Sequence, residues 1–261
     1  MPHSPAEILD FRHTPVLVTG ASGGIGAAIA AAFAGVGARV ALHYRSGEET
    51  ARQVLESLPG EGHVLVQGDL AREDQAARVA DRAFEALGGL DVLVNNAGIF
   101  EPHPVEDCDD ESWARAWRRT LDTNLLGPAC LTFRAVRYLR QAARGGRVVN
   151  VSSRGAFRGE PRAAAYGASK AGLNAMSQSL AQALASQGIS VYAVAPGWVD
   201  TDRVAPQVHG PDADAVAAQS PWGRVARPDE VARAVLLLAA PGNEFLTGAI
   251  VDVNGASYLR T

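Results

Sequence analysis

The chain contains little cysteine, almost no lysine and no long apolar run, and each shortage excludes something. Cys108 and Cys130 are its two cysteines, and they lack C-x-x-C spacing. A disulfide frame and a cysteine-rich zinc site are therefore excluded, and a reducing cytosol is the simplest compartment. No segment reaches the roughly 18 consecutive apolar residues of a membrane span. Met1 to Asp10 carries no basic stretch followed by an apolar one, so a cytoplasmic protein is expected. Positive charge is not in excess: 24 basic against 28 acidic residues leave a net charge of −4. Without a positive field, neither nucleic acid nor a membrane surface is an expected partner. Of the 24 basic residues, Lys170 is the one lysine and the rest are arginine.

What is present describes an ordinary globular protein. Hydrophobic residues make up 47% and charged residues 20% of 261 positions, with no linker-like tract and no repeat. Residues 1–12 read as a loose extension and 13–261 as one domain. Strands are expected at 15–19, 38–43, 63–67, 91–94, 146–151, 189–194 and 249–253. Between them, helices are expected at 24–36, 47–58, 71–87, 109–143 (broken), 165–187 and 228–240. Runs such as Val16-Leu17-Val18 and Val92-Leu93-Val94 are apolar throughout, as strands covered on both faces must be. The fold class that follows is α/β: a single doubly wound Rossmann domain, a parallel seven-stranded sheet with helices on both faces. Residues 200–220 interrupt this rhythm with Pro206, Pro211 and several acids, and read either as a lid or as a surface insertion.

The first strand runs into Thr19-Gly20-Ala21-Ser22-Gly23-Gly24-Ile25-Gly26 and then an alanine-rich helix. Such a turn lets backbone N–H groups and a positive helix end approach a pyrophosphate, which makes Gly20, Ser22, Gly24, Ile25 and Gly26 candidate nucleotide contacts. The second strand ends His43-Tyr44-Arg45-Ser46, without the carboxylate that would receive the adenosine ribose hydroxyls in an NAD site. Arg45 and Ser46 suit a 2′-phosphate, although Arg45 also reads as a solvated charge opening a helix. NADP(H) is accordingly favoured over NAD(H). Asp69 and Leu70 follow the third strand, with Asp69 either reaching the adenine or capping the next helix. Asn96, Ala97 and Gly98 follow the fourth, again at the carboxyl edge where α/β ligands bind.

Tyr166 and Lys170 are four apart on an expected helix and share a face. A phenol of ordinary pKa is a poor proton shuttle at neutral pH, and a neighbouring ammonium would lower it. The spacing gains weight from the lone lysine, which random placement among 24 basic positions would put there about once in 24 trials. Ser153 stands at the end of the strand Val148-Val149-Asn150-Val151, placed to donate to a carbonyl oxygen. Asn124 sits inside a long helix where an amide has poor propensity, which points to a buried polar role or a kink.

Together TGASGGIG at 19–26, NNAG at 95–98, Asn124, Ser153, Tyr166-x3-Lys170 and Pro196-Gly197-Trp198-Val199-Asp200-Thr201 resemble the short-chain dehydrogenase/reductase family over about 15–258. The resemblance implies that Tyr166 protonates a carbonyl as hydride arrives from a nicotinamide and that Ser153 orients that carbonyl. It implies that Lys170 holds the nicotinamide ribose and lowers Tyr166, that Asn124 supports a relay water, and that Pro196, Gly197, Val199 and Thr201 flank the nicotinamide. It also implies a homotetramer, with helices 109–143 and 165–187 at the interface. Pro221-Trp222-Gly223-Arg224 and the ending from Gly248 to Tyr258 look like the 3-oxoacyl-(acyl-carrier-protein) reductase branch. Gly23 replaces that branch's frequent arginine. Of the two basic positions that dock an acyl-carrier protein, one matches Arg144 and the other is Gln187, so carrier docking is half supported. The expected activity is NADPH-dependent reduction of a small-molecule carbonyl, reversible as an alcohol dehydrogenase. The alternatives are an NAD-dependent dehydrogenase of a sugar, cyclic alcohol or steroid, and a nucleotide sensor, which would need no activated phenol.

Overall fold

The computed structural model describes residues 9–142 and 145–260. Seven parallel strands form one sheet in the order β3-β2-β1-β4-β5-β6-β7. They are β1 (Pro15–Val18), β2 (Arg39–Tyr44), β3 (Val64–Gln67), β4 (Val92–Asn95), β5 (Gly146–Val151), β6 (Ile189–Pro196) and β7 (Ile250–Val253). The order reverses between β1 and β4, which opens a crevice beyond their carboxyl ends. Every residue of β1, β4, β5 and β6 is buried, as apolar runs covered on both faces require.

Helices α1 (Gly24–Gly35), α2 (Glu48–Ser57), α3 (Glu73–Leu87), α4 (Asp110–Leu121), α5 (Gly127–Leu139), α6 (Gly155–Arg158), α7 (Ala164–Leu184), α8 (Ala205–Val208), α9 (Ala213–Ala217) and α10 (Pro228–Leu238) make up the rest. One apolar layer joins Ile29 and Phe33 of α1 and Val231 and Val235 of α10 to Val16, Val94 and Val149. The opposite layer joins Val79 of α3, Leu131 of α5 and Ala181 of α7 to Leu17, Leu93 and Val148. Alternate residues of each strand therefore serve opposite layers, and the two layers clamp the sheet so that its carboxyl edge presents side chains at fixed spacing.

Several expectations are refined. The broken helix at 109–143 is α4 and α5 joined without a gap by a π-helical segment, Asp122–Leu126. Helix 165–187 ends at Leu184 and passes into a 3-10 turn, Ala185–Gln187. The irregular stretch 200–220 contains a 3-10 turn and the short helices α8 and α9, whose few residues carry too little periodicity to be read in advance. Both cysteines are free, and no cluster of metal-ligating side chains exists among the described residues. No helix among them is long and apolar enough to cross a membrane.

Candidate active site

The glycine-rich turn is shaped by what leaves no room for a side chain. At Gly26 a Cβ would meet the Gly20 carbonyl oxygen at 2.1 Å and Asn96 Nδ2 at 2.5 Å. Gly20 has φ of +63°, and a Cβ there would lie 2.9 Å from the Ala97 Cα. Gly23, by contrast, faces open space. The α1 amino terminus has no side-chain cap and no acidic residue in its first turn, so its N–H groups are directed outward. An uncapped positive helix end beside an open glycine cradle fits a pyrophosphate.

Neighbouring elements hold this cradle rigid. Asn96 Nδ2 donates to the Thr19 and Gly20 carbonyls at 2.8 and 3.2 Å, and the Thr19 hydroxyl accepts from the Asn96 and Ala97 N–H groups at 2.9 and 3.0 Å. Asn96, expected to contact the nucleotide, thus spends its amide on the turn itself. His43, buried in β2, accepts from the Gly20 N–H at 3.2 Å through Nδ1 and donates from Nε2 to the Gly68 carbonyl at 3.0 Å. Burial lowers its pKa to about 4, so it is neutral at pH 7.

Arg45 and Ser46 lie exposed at the end of β2, and Arg45 makes no ion pair among the described residues. The Asp69 carboxylate accepts from the Ala71 N–H at 3.1 Å. Its expected alternative as a helix cap is corrected: α3 begins after Arg72, and Asp69 closes a turn before it. Leu70 is buried and its carbonyl packs against Gly127, where a Cβ would come within 2.4 Å. Ile25, in the first turn of α1, is partly buried and packs against the core. Thr201 meets the cradle from the other side, its Cγ2 standing 3.1 Å from where a Gly24 Cβ would be. Val199 is buried and bridges to Ala226, while Pro196 ends β6 and Gly197 packs against Asn254.

Tyr166 and Lys170 do share a face of α7. The ammonium lies 5.8 Å from the phenol ring centre, and Nζ donates to the Val151 carbonyl at 2.8 Å. Lys170 is only 4% exposed, and burial brings its pKa down to about 8, with the Arg203 charge adding to the fall. Burial raises Tyr166 above the ordinary phenol value, opposed by hydrogen bonding with Ser153 and by Arg203, while Glu160 adds to the rise. Lys170, expected to lower the phenol, spends a hydrogen bond of its ammonium on the Val151 carbonyl at the end of β5. Ser153 Oγ also accepts from the Gly155 N–H at 3.0 Å, which anchors α6.

Asn124 is fully buried, as the buried polar reading expected, and lies in the π-helical segment that interrupts the α-helical ladder. Its Nδ2 donates to the Ile99 carbonyl at 2.9 Å and to Ser169 Oγ at 3.2 Å, and its Oδ1 accepts from the Ile99 N–H at 2.8 Å. A Cβ on Gly98 would lie 3.2 Å from Asn124 Oδ1 and 3.5 Å from Lys170 Nζ, which brings the loop after β4, the π segment and α7 to one point.

Four further residues belong here that sequence reasoning missed. Phe100 sets its ring edge-on to Tyr166 with centres 5.0 Å apart. Arg203 reaches from the segment after β6 to donate to the Gly98 carbonyl at 2.8 Å. Arg154, buried next to Ser153, donates to Ser257 Oγ at 2.6 Å and Gln219 Oε1 at 2.5 Å, tying the sheet edge to residues far along the chain. His103 holds the start of α7, its Nε2 accepting from the Ala165 N–H at 3.1 Å. None has a motif around it. His43 stood in a quoted stretch but carried no signal of its bond to Gly20.

A doubly wound sheet with a glycine cradle at its switch point and a tyrosine, serine and lysine converging beside it defines a nucleotide-dependent oxidoreductase. Comparisons with known proteins agree. The profile of the family described as Enoyl-(Acyl carrier protein) reductase matches residues 20–256. The cis-4-hydroxycyclohexanecarboxylate dehydrogenase of Sinomonas cyclohexanicum is 41% identical over 94% of this chain and 96% of its own. A 3-oxoacyl-(acyl-carrier-protein) reductase FabG of Staphylococcus aureus is 35% identical over 93% and 97%. The crystal structure of a short-chain dehydrogenase from Burkholderia cenocepacia J2315 in complex with NADP superposes with a TM-score of 0.85 at 33% identity, covering 95% of this chain and 99% of that one. The chain belongs to the short-chain dehydrogenase/reductase family and is an NAD(P)-dependent oxidoreductase acting on CH–OH groups.

Proposed function

We propose that the protein reduces a ketone to a secondary alcohol with NADPH, with Tyr166, Ser153, Lys170 and Asn124 as its working residues. The observation that carries this is the convergence of Tyr166, Ser153 and Lys170 on the crevice that also holds the glycine cradle. When bound there, the coenzyme supplies hydride to a carbonyl carbon. Gly20, Ser22, Gly24, Ile25 and Gly26 hold its pyrophosphate through backbone groups at the α1 amino terminus. Arg45 and Ser46 receive the 2′-phosphate, Asp69 and Leu70 border the adenine, and Ala97, Gly98, Pro196, Gly197, Val199 and Thr201 flank the nicotinamide.

The directions of the two pKa shifts suit reduction. A phenol kept above its ordinary value stays protonated at neutral pH and gives its proton to a developing alkoxide, with Ser153 steering the carbonyl oxygen toward it. A lysine at about 8 both holds and yields a proton near neutrality, which suits it to reload Tyr166. Both Asn124 N–H donors are already spent, so it supports a relay water only as an acceptor, through Oδ1 or through main-chain carbonyls that the π segment releases from the α-helical ladder.

Residues 13–261 act as one catalytic domain and 200–220 as a substrate lid. The assembly is a homotetramer through α4, α5 and α7, a reading supported by Phe133 of α5, which is 74% exposed. Carrier docking has weaker support: Gln187 Oε1 accepts from Arg140 at 2.7 Å, and Arg144 lies outside the described residues. The second reading is an NAD-dependent dehydrogenase of a sugar, cyclic alcohol or steroid, and its cyclic-alcohol and steroid substrates are favoured by the names of relatives, the Sinomonas enzyme and a 3beta-hydroxysteroid dehydrogenase of Eggerthella lenta that is 34% identical. A panel of ketones and secondary alcohols, run with both coenzymes on the parent and on Tyr166→Phe, tests the proposal. Turnover with NADPH that falls about 100- to 10,000-fold in the variant, with coenzyme binding kept, supports it. Turnover within a few-fold of the parent refutes the role of Tyr166.

A further inference from the structure

Beside the proposed catalytic groups stands an exposed guanidinium that makes no ion pair among the described residues. Arg203 donates through Nη1 to the Gly98 carbonyl at 2.8 Å, and Gly98 is the wall shared with Lys170 and Asn124. Its charge is felt at both Tyr166 and Lys170. Among the described residues Arg203 makes no ion pair, although many other arginines of the chain do. Neither of the two acids just before it in the chain pairs with it: Asp202 makes no ion pair among the described residues, and Asp200 is engaged at 2.8 Å by His209. A guanidinium has five N–H donors, and one carbonyl contact neither uses them up nor offsets the charge.

Its hydrogen bond goes to the Gly98 carbonyl rather than to the glycine cradle. The pyrophosphate cradle lies at Gly23 and Gly24, faced by Thr201, and the 2′-phosphate position is assigned to Arg45 at the far end of β2. Arg203 is directed instead to the Gly98 and Tyr166 side. There Phe100, 40% exposed, presents an apolar ring edge-on to the phenol at 5.0 Å. The loop after β4 thus carries an apolar ring against the phenol at Phe100 and, two residues earlier at Gly98, the carbonyl that holds an unpaired cation, and these two features suit a particular kind of molecule.

We propose that Arg203 is a specificity-determining residue that receives the carboxylate of a small keto acid or hydroxy acid, whose carbon skeleton packs on Phe100. This rests on the assignment of the crevice as the catalytic site. A charge-assisted contact of this kind contributes about 10- to 150-fold in affinity.

The test uses the full chain saturated with NADPH and calorimetric binding of cyclohexanecarboxylate and of the neutral cyclohexanecarboxamide, on the parent, Arg203→Gln and Arg203→Lys. Glutamine keeps a donor for the Gly98 carbonyl and removes the charge. The same proteins are then assayed on 4-oxocyclohexanecarboxylate and its methyl ester, and their affinity for NADPH alone is measured. Expected is a parent preference for the acid that drops about 10-fold or more in Arg203→Gln, is partly retained in Arg203→Lys, and occurs without loss of NADPH affinity. The ratio of acid to neutral probe is the readout, so any general effect of the lost charge on Tyr166 cancels. No preference in the parent, an unchanged preference in Arg203→Gln, or a loss confined to NADPH binding each overturns the proposal. Turnover of neutral ketones without acid preference would overturn this inference and leave the reductase reading intact. Acid preference in binding with no turnover of any carbonyl or alcohol would do the reverse.

Discussion

Replacing Lys170 by methionine should make the coenzyme-free protein more stable near neutral pH while removing its activity. Lys170 is buried, and its pKa falls from 10.5 to about 8. That difference of 2.5 units corresponds to about 3 kcal/mol at about 1.36 kcal/mol per unit. The sign follows from proton counting. Between pH 8 and 10.5 the unfolded lysine binds a proton that the folded one has released, so parental stability rises with pH across this window, and the full penalty is present below pH 8. Methionine fills a similar volume without charge and loses the bond to the Val151 carbonyl, at a cost of about 1 kcal/mol. The net expectation is a gain of about 2 kcal/mol at pH 7 that vanishes or reverses near pH 10.5. Urea unfolding of parent and Lys170→Met at pH 7, 8, 9 and 10 measures it, since the difference between the two cancels every other titrating group. A gap that does not change with pH, or a parent more stable than the variant at pH 7, would refute the reasoning. Turnover should fall at least about 100-fold, because a thioether neither holds a ribose nor yields a proton.

Other expectations concern the cradle, coenzyme choice and the lid. Arg45→Ala should weaken NADPH about 10- to 150-fold in a fluorescence titration and leave NADH nearly unchanged, whereas equal losses would make Arg45 a solvated charge. Gly26→Ala should abolish coenzyme binding and lower the melting temperature, since its Cβ would lie 2.1 Å from the Gly20 carbonyl oxygen; a variant that binds NADPH like the parent would show that the turn can move aside. His43 stays neutral down to about pH 4 in the folded chain, so between pH 6.5 and 4 the parent should lose stability as pH falls, and His43→Gln should lose less over that interval. Limited proteolysis within 200–220 should slow when coenzyme and a substrate analogue are both present, and an unchanged cleavage rate would reduce the segment to a surface loop.

The sequence by itself determined the layered architecture and the groups that line the carboxyl edge of the sheet. Continuous apolar strands such as Val92-Leu93-Val94 can only be covered on both faces, and a glycine-rich strand-to-helix turn has few other uses. Tyr166 and Lys170 were legible as neighbours because four residues of helix is a local geometry, and Ser153 because a strand ends there. The tertiary structure alone decided what those groups do to one another. Whether Lys170 faces the phenol or the Val151 carbonyl depends on how α7 packs on β5. Asn96 serves the turn because Thr19 and Gly20 lie 2.8 and 3.2 Å away across the switch point, although three helices and three strands separate them from it along the chain. Arg203, Arg154, Phe100 and His103 carry no local pattern, since each acts through a partner from another stretch of the chain, and only the closed fold brings Arg203 to Gly98 or Phe100 to Tyr166. Periodicity and turn chemistry are local physics that a sequence displays. Desolvation, charge pairing and the aim of a side chain are set by neighbours distant in sequence, and they exist only once the chain has folded.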